Sequence, residues 1–498
     1  MLLDLVYAVA EDHPDAIALV HRDERITYRE LVERVERLAA GLAGRGIGAG
    51  DPVALLLPNA PEFVVAFYAI TGLGAAIVPL NPQLKHDELQ FRLRQSGVRA
   101  IVSEDRAVGV CERVVASWED PAEIITTSAA HGHGTTIASL IADGEPRRLP
   151  ARSPDEVFVY QFSSGSTGRP KRVARTHGNV CAEARTYPSA FGVGVGDGVF
   201  CVTPLFHDYG MTCSLLASTP AGATLVLLED PNPFLLKRHR AIELIERERP
   251  THFPGVPFTF RLLAEAPGEA DMSSLRLCFS AGTALPREVF DAFVERFGVP
   301  VRQLYGSTET GTLAANLDDD PIDTSASVGR PVGDVRVEVV DDDGEPVEAG
   351  AVGELAVSSP AMTTGYLDQP ELTAAAFRDG WYLTGDLGRI DEEGRVYITG
   401  RKKLLIPVGG YKVDPIEVED VLNDHPAIAE AIVVGVAGQN AGEEIVKAAV
   451  VLSATCDERD VIRYAQERLA NYKVPQLVEF RDEIPKSPTG KILRQYLL

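Results

Sequence analysis

The sequence predicts an α/β protein: a large N-terminal domain of αβαβα-type sheets with a small β-barrel-like part, followed by a small α+β C-terminal domain. Three observations carry this. Short, continuous apolar runs at 52–57, 75–80, 199–204, 224–228 and 275–280 alternate with helical patterns. Parallel strands covered on both faces read that way. Beyond Gly329 the character changes to short strands and Gly-containing turns, as at 335–344 and 388–399, which read as hairpins. After GRKK (400–403) come strand 432–436, strand 446–452, helix 457–470 and strand 477–480. The domains are therefore expected at 1–400 and 404–498, with 401–403 as the connection.

The elements follow in order. The apolar start, with Asp4 and no basic flank, resembles a packed helix more than a secretion signal. From Thr27 a capped amphipathic helix places Leu31, Val35, Leu38 and Leu42 on one face. A second helix over 61–71 lies between the first two strand-like runs. No internal repeat of fixed period is present, and the acidic turn 317–320 is the one low-complexity tract.

Across 498 residues, 72 acidic side chains oppose 48 basic ones, a net charge of −24. That excludes non-specific nucleic-acid binding, which needs clustered Lys and Arg. No stretch approaches the roughly 18 apolar residues of a membrane span. The six cysteines form no CxxC pair and no zinc-ligand spacing. The expectation is a cytoplasmic protein with reduced thiols and no membrane partner.

The sharpest local feature is FSSGSTGRPK (162–171), directly after the apolar run 157–160. A glycine-rich loop leaving a strand presents backbone N–H groups to phosphate oxygens. Ser163, Ser164, Gly165, Ser166, Thr167 and Gly168 supply the loop and its hydroxyls, and Lys171 a cation. It is not a Walker loop, since Pro170 precedes the lysine.

This loop resembles the nucleotide-binding signature of the adenylate-forming superfamily, which includes acyl- and aryl-CoA ligases and carrier-loading adenylation domains. Further signatures follow in the family's order: PLFHDYG (204–210), SAGTAL (280–285), YGSTET (305–310), YLTGD (382–386), GR (400–401), GYKVDP (410–415) and PKSPTGK (485–491). The resemblance spans essentially the whole chain. It implies ATP-dependent conversion of a small-molecule carboxylic acid to an acyl-adenylate, with pyrophosphate released and Mg²⁺ required. Such a site must supply positive charge and positioning, because carboxylate and triphosphate repel.

By this resemblance Lys491 delivers its ammonium to carboxylate and α-phosphate, and Thr167 belongs to the phosphate loop. Asp386 accepts from the ribose hydroxyls, and Tyr305 stacks on adenine with Gly282 and Thr283 at its edge. Glu309 holds Mg²⁺, Thr308 meets the α-phosphate and Arg401 the ribose or phosphate. The C-terminal domain is mobile and turns about Lys403. Gly409, Gly410 and Tyr411 then line a passage for the pantetheine arm of CoA or of a carrier protein. His207 gates the acyl pocket, whose candidate walls are Asp208, Phe253, Gly255, Val256, Ala281, Gly306, Thr312 and Leu313.

Two departures from the family pattern stand out. Arg172 replaces the usual glycine after the lysine, and Val474 and Gln476 around Lys473 are uncharged where some CoA ligases carry basic residues. Asp208 points to an acid bearing an amine or hydroxyl, such as an aminobenzoate or hydroxybenzoate, because a buried acid needs a donor. The favoured reading is an acyl- or aryl-CoA ligase. The alternatives are an adenylation enzyme loading an acyl carrier protein, a medium- or long-chain fatty acyl-CoA ligase, and an idle adenylate-binding scaffold.

Overall fold

A computed structural model describes the chain except residues 130–133, 164–170, 230–233, 342, 402–404, 439–443, 486–493 and 498, and without the side chains of Arg401, Ile416 and Gln495. The capped helix is Tyr28–Gly44. Thr27 accepts from the Glu30 amide, Glu30 answers to the Thr27 amide, and Leu31, Val35, Leu38 and Leu42 are buried. The start of the chain folds as helix Leu2–Asp12.

The apolar runs become strands of two large sheets. In one six-stranded sheet the spatial order is Glu123–Thr126, Ala100–Ser103, Pro52–Leu56, Ala76–Pro79, Val157–Ser163 and Lys171–Thr176, with only the last pair antiparallel. A nine-stranded sheet carries Gly198–Cys201, Thr224–Leu227, His252–Gly255 and Leu277–Ser280 at its centre, all parallel. At one side it ends in the antiparallel hairpin Val301–Ser307 with Gly311–Ala315. The main core lies between the two sheets, where Val53, Leu55 and Ile77 meet Leu19, Val199 and Leu225. Helix Pro61–Gly72 runs through it buried on every side, which explains its lack of a polar face.

The expected hairpin region forms a five-stranded antiparallel sheet built on Gly353–Ser358, Trp381–Ile390 and Val396–Arg401. The small C-terminal domain packs Ile428–Ala437, Glu444–Leu452 and Leu477–Phe480 with helices Pro415–Asn423 and Glu458–Arg468 around its own core. All six cysteines are unpaired, five of them buried. No helix of the described residues is long and apolar enough to cross a membrane.

Candidate active site

The site is assembled where loops leave strand ends. Strands Val157–Ser163 and Lys171–Thr176 pair with Ser163 opposite Lys171, so both stand at the base of the serine-glycine loop. Asn59 ties down the 203–205 turn: its Nδ2 donates to the Thr203 carbonyl at 2.9 Å and its Oδ1 accepts from the Leu205 amide at 2.8 Å. That turn sets His207 at the N-terminus of the short helix Asp208–Gly210, which continues as a π-helix, Met211–Leu216. Such π segments are frequent at functional sites. Across from them, Gly306 packs against the facing strand, where a Cβ would lie 2.5 Å from the Gly311 carbonyl oxygen. Only glycine fits there.

These ends surround a cavity of about 540 Å³. Ser163, Lys171, His207, Asp208, Ala281, Gly282, Gly306, Thr308, Glu309, Thr312, Asp386 and Tyr411 all line it. Glu309 is buried; one carboxylate oxygen accepts from the Ser163 hydroxyl at 2.8 Å and from the Tyr366 hydroxyl at 3.1 Å. Tyr366 also touches Tyr382 at 3.2 Å, and the Lys171 ammonium sits 4.2 Å from the centre of its ring. Asp386 is buried and accepts from the Tyr305 hydroxyl at 2.7 Å, which fixes the tyrosine ring beside it. Arg401 pairs with Asp386 in strand register.

A second polar group reaches the cavity through Asp208 and Gln161. Arg175 is wholly buried, with its guanidinium between two carboxylates. It pairs with Glu183, reaches Asp208 at 3.4 Å and donates to the Ala361 carbonyl at 3.1 Å. Gln161 donates to the same Asp208 oxygen at 3.0 Å. Glu183 accepts in turn from the Thr312 amide at 2.9 Å. Burial pushes the Asp208 carboxyl up to about 7 against the pull of Arg175, with Glu183 adding to the rise. His207 lines the cavity as an exposed residue, and the cavity surroundings and then the Lys412 ammonium pull its imidazole below the usual range. Its Nδ1 accepts from the Tyr209 amide at 3.3 Å, so the neutral ring carries its proton on Nε2.

Several expected residues sit elsewhere. Phe253 is packed in a core cluster, its ring 5.2 Å from Phe200 and 5.0 Å from Phe260, rather than on the cavity wall. Gly255 faces the Phe260 ring, and Leu313 packs with Val173 and Val357. Val256 instead meets the C-terminal domain: its Cγ2 lies 3.4 Å from where a Gly410 Cβ would stand. Gly410 has φ +89° and Gly409 φ +55°, so both take the left-handed turn that delivers Tyr411 to the cavity. Thr283 follows Gly282, half-buried. Arg172 turns to Asp368 and to the Gln95 carbonyl. Ser164, Gly165, Ser166, Thr167, Gly168, Lys403 and Lys491, and the Arg401 side chain, lie outside the described residues.

Residues that sequence reasoning passed over are Gln161, Arg175, Glu183, Tyr366, Tyr382 and Lys412. Arg175 left one usable signal, a cation within the otherwise small, apolar strand end at 173–175. Replacing Asp386 by Asn should raise the KM for ATP about tenfold, the cost of weakening charge-assisted hydrogen bonds, with kcat little changed. Pyrophosphate release at varied ATP reads this out.

Comparison with known proteins agrees with this geometry. The family model for the AMP-binding enzyme matches residues 6–367, and that for the AMP-binding enzyme C-terminal domain matches 417–491. A long-chain-fatty-acid–CoA ligase of Bacillus subtilis is 33% identical over 97% of this chain and 92% of its own. A 3-hydroxybenzoate–CoA ligase of an Aromatoleum strain is 31% identical over 97% and 93%. Among solved structures, the amide bond synthetase McbA of Marinactinospora thermotolerans superposes with TM-score 0.89 at 31% identity, covering 99% of this chain and 98% of that one. A double mutant of the o-succinylbenzoate CoA synthetase of Bacillus subtilis, bound to a CoA product analogue, superposes at 0.89 (29% identity, 99% and 97% covered), and the synthetase in complex with AMP at 0.72. A chain matched along its length by both family models, with relatives this similar over nearly all of it, belongs to the AMP-binding enzyme family and activates a carboxylic acid through its acyl-adenylate.

Proposed function

We propose that the acid activated here is an aromatic acid carrying an amine or hydroxyl, and that its acyl group passes to the thiol of CoA. The observation that carries the substrate reading is Asp208 on the cavity wall, backed by the wholly buried Arg175 and its second carboxylate, Glu183, so that one cation stands between two carboxylates. An amine N–H or hydroxyl O–H donor from the ligand would meet the surplus acceptor. The similarity to a 3-hydroxybenzoate–CoA ligase supports the same class.

In this reading Asp386 receives the ribose, Tyr305 flanks the adenine, and Ser163 and Lys171 stand at the phosphates. Among the described residues no group of three or more metal-ligating side chains occurs. Glu309 therefore suits Mg²⁺ as one carboxylate completed by substrate phosphates, the manner in which that ion is usually held. Bound there, it would neutralise phosphate charge. His207, its imidazole held below the usual range, borders the acid without adding charge to it. Lys491 is the proposed source of the ammonium that meets carboxylate and α-phosphate.

A second reading concerns the acceptor. The superposition on an amide bond synthetase equals that on a CoA synthetase, and Val474 and Gln476 lack the charge that would hold CoA phosphates. An amine is then the acceptor. One panel separates these readings: benzoate, aminobenzoates, hydroxybenzoates and fatty acids, each with Mg-ATP alone, with CoA, and with an amine. Ring acids bearing a donor should exceed benzoate in kcat/KM by about tenfold or more, with consumption of the adenylate rising on addition of CoA. A preference for plain fatty acids would overturn the substrate reading.

A further inference from the structure

We propose that Lys473 is a positioning residue for the second half-reaction, clasping the C-terminal domain onto the N-terminal domain through Glu88. Lys473 lies in the short turn Asn471–Lys473 of the C-terminal domain and is 3% exposed. Its ammonium stands 2.7 Å from Glu88 Oε1, on helix His86–Ser96 of the N-terminal domain. It stands equally 2.7 Å from Glu417 Oε1, on helix Pro415–Asn423 of its own domain. Both carboxylates are largely shielded from solvent, at 7% and 19% exposure. Charge-assisted hydrogen bonds of this kind are short and directional, and removing one partner of a shielded pair leaves an uncompensated charge.

The clasp adjoins the reaction path. Tyr472, next in sequence, stacks on Tyr411 with ring centres 4.1 Å apart and planes 17° from parallel. Tyr411, Lys412, Glu417, Tyr472 and Lys473 line the same cavity as His207 and Glu309. Fixing Lys473 against Glu88 therefore fixes Tyr411 at the cavity, where the acceptor passage is expected.

The two arms of the clasp differ in what a domain rotation does to them. The Glu417 arm travels with its domain and survives. The Glu88 arm crosses between domains and must break, leaving the Glu88 carboxylate without its cation. The chain superposes better on the CoA-analogue complex of the o-succinylbenzoate synthetase than on its AMP complex. The arrangement holding both arms is therefore assigned to acyl transfer. Burial alone would lower the pKa of the ammonium; Tyr472 and the carboxylates of Glu417 and Glu88 hold it above its ordinary value, so it stays charged.

This rests on the reading that the adenylate is passed on within the same protein. The test is Glu88→Gln, which removes the charge but keeps an acceptor for the Lys85 amide that Glu88 faces at 3.5 Å. Pyrophosphate release without acceptor should stay within about twofold of wild type, and single-turnover consumption of the isolated acyl-adenylate by CoA should slow about tenfold, an ordinary coupling between two states. Lys473→Met should act in the same direction. Spin labels, one per domain, should report a matching loss of the clasped population in the free protein. Equal falls in both half-reactions would mark a merely structural role and overturn the proposal, as would an unchanged transfer rate or label distance. A wild type that makes adenylate but transfers nothing to CoA would refute the CoA reading alone, and the label distances would still decide the clasp.

Discussion

Lys491→Ala is expected to lower acid-dependent pyrophosphate release about a thousandfold, the upper range for removing one preorganised charge from a transition state. In that step a carboxylate attacks the α-phosphate while negative charge grows on the phosphate oxygens. Among the described cavity residues, Glu309 and Asp386 are buried carboxylates, which cannot by themselves stabilise that charge. Lys171 is held over the Tyr366 ring at the base of the loop. The Lys491 ammonium is the contribution proposed to meet that charge. Because it acts only as charge develops, its loss should fall on kcat, with ATP binding near wild type. Transfer from preformed adenylate to the acceptor should be spared. Lys491→Ala and Glu88→Gln then form a crossed pair, each slowing the half-reaction that the other leaves near wild type. Pyrophosphate release by Lys491→Ala within tenfold of wild type would remove the lysine from the chemistry.

Much of this site was legible because its parts are local. The serine-glycine loop, the capped helix after Thr27 and the buried parallel strands each announce themselves within a dozen residues. The polar group around Asp208 did not, because Asp208 meets Arg175 and Gln161 from 33 and 47 residues away, and the nearer Arg175–Glu183 pair joins a strand to a helix with no shared periodicity. Arg175 leaves the phosphate loop on a strand, Glu183 lies two turns into the next helix, and Asp208 arrives from another sheet. Nothing near Lys473 foretells Glu88, 385 residues away. Phe253 failed for a different reason. Strand His252–Gly255 is buried on both faces, so no alternation shows which side chain meets the cavity and which the neighbouring phenylalanines.

Asp208→Asn should make the protein more stable at pH 8 and worse at its substrate. In the unfolded chain an aspartate releases its proton near pH 4. In the folded protein the same group holds it until about pH 7, because burial outweighs Arg175. Between those values the folded state binds a proton that the unfolded state has released, so stability falls as pH rises, and all of that loss is present at pH 8. Asparagine ionises in neither state and keeps an oxygen for Gln161 and Arg175. The variant should therefore gain about 2 kcal/mol or more at pH 8 and almost nothing at pH 4. Thermal unfolding at the two pH values measures it. The same change removes the acceptor charge facing the ligand, so kcat/KM for an amine-bearing acid should fall ten- to a hundredfold, while an unsubstituted benzoate is little affected. Wild-type activity on that amine-bearing acid should also rise as pH passes through about 7, when Asp208 ionises, and the variant should lose this rise. A carboxylate kept buried at a cost to stability is best explained by a ligand that needs it. Gain in stability without loss of discrimination would make Asp208 a structural partner of Arg175 and return the substrate question to the apolar walls.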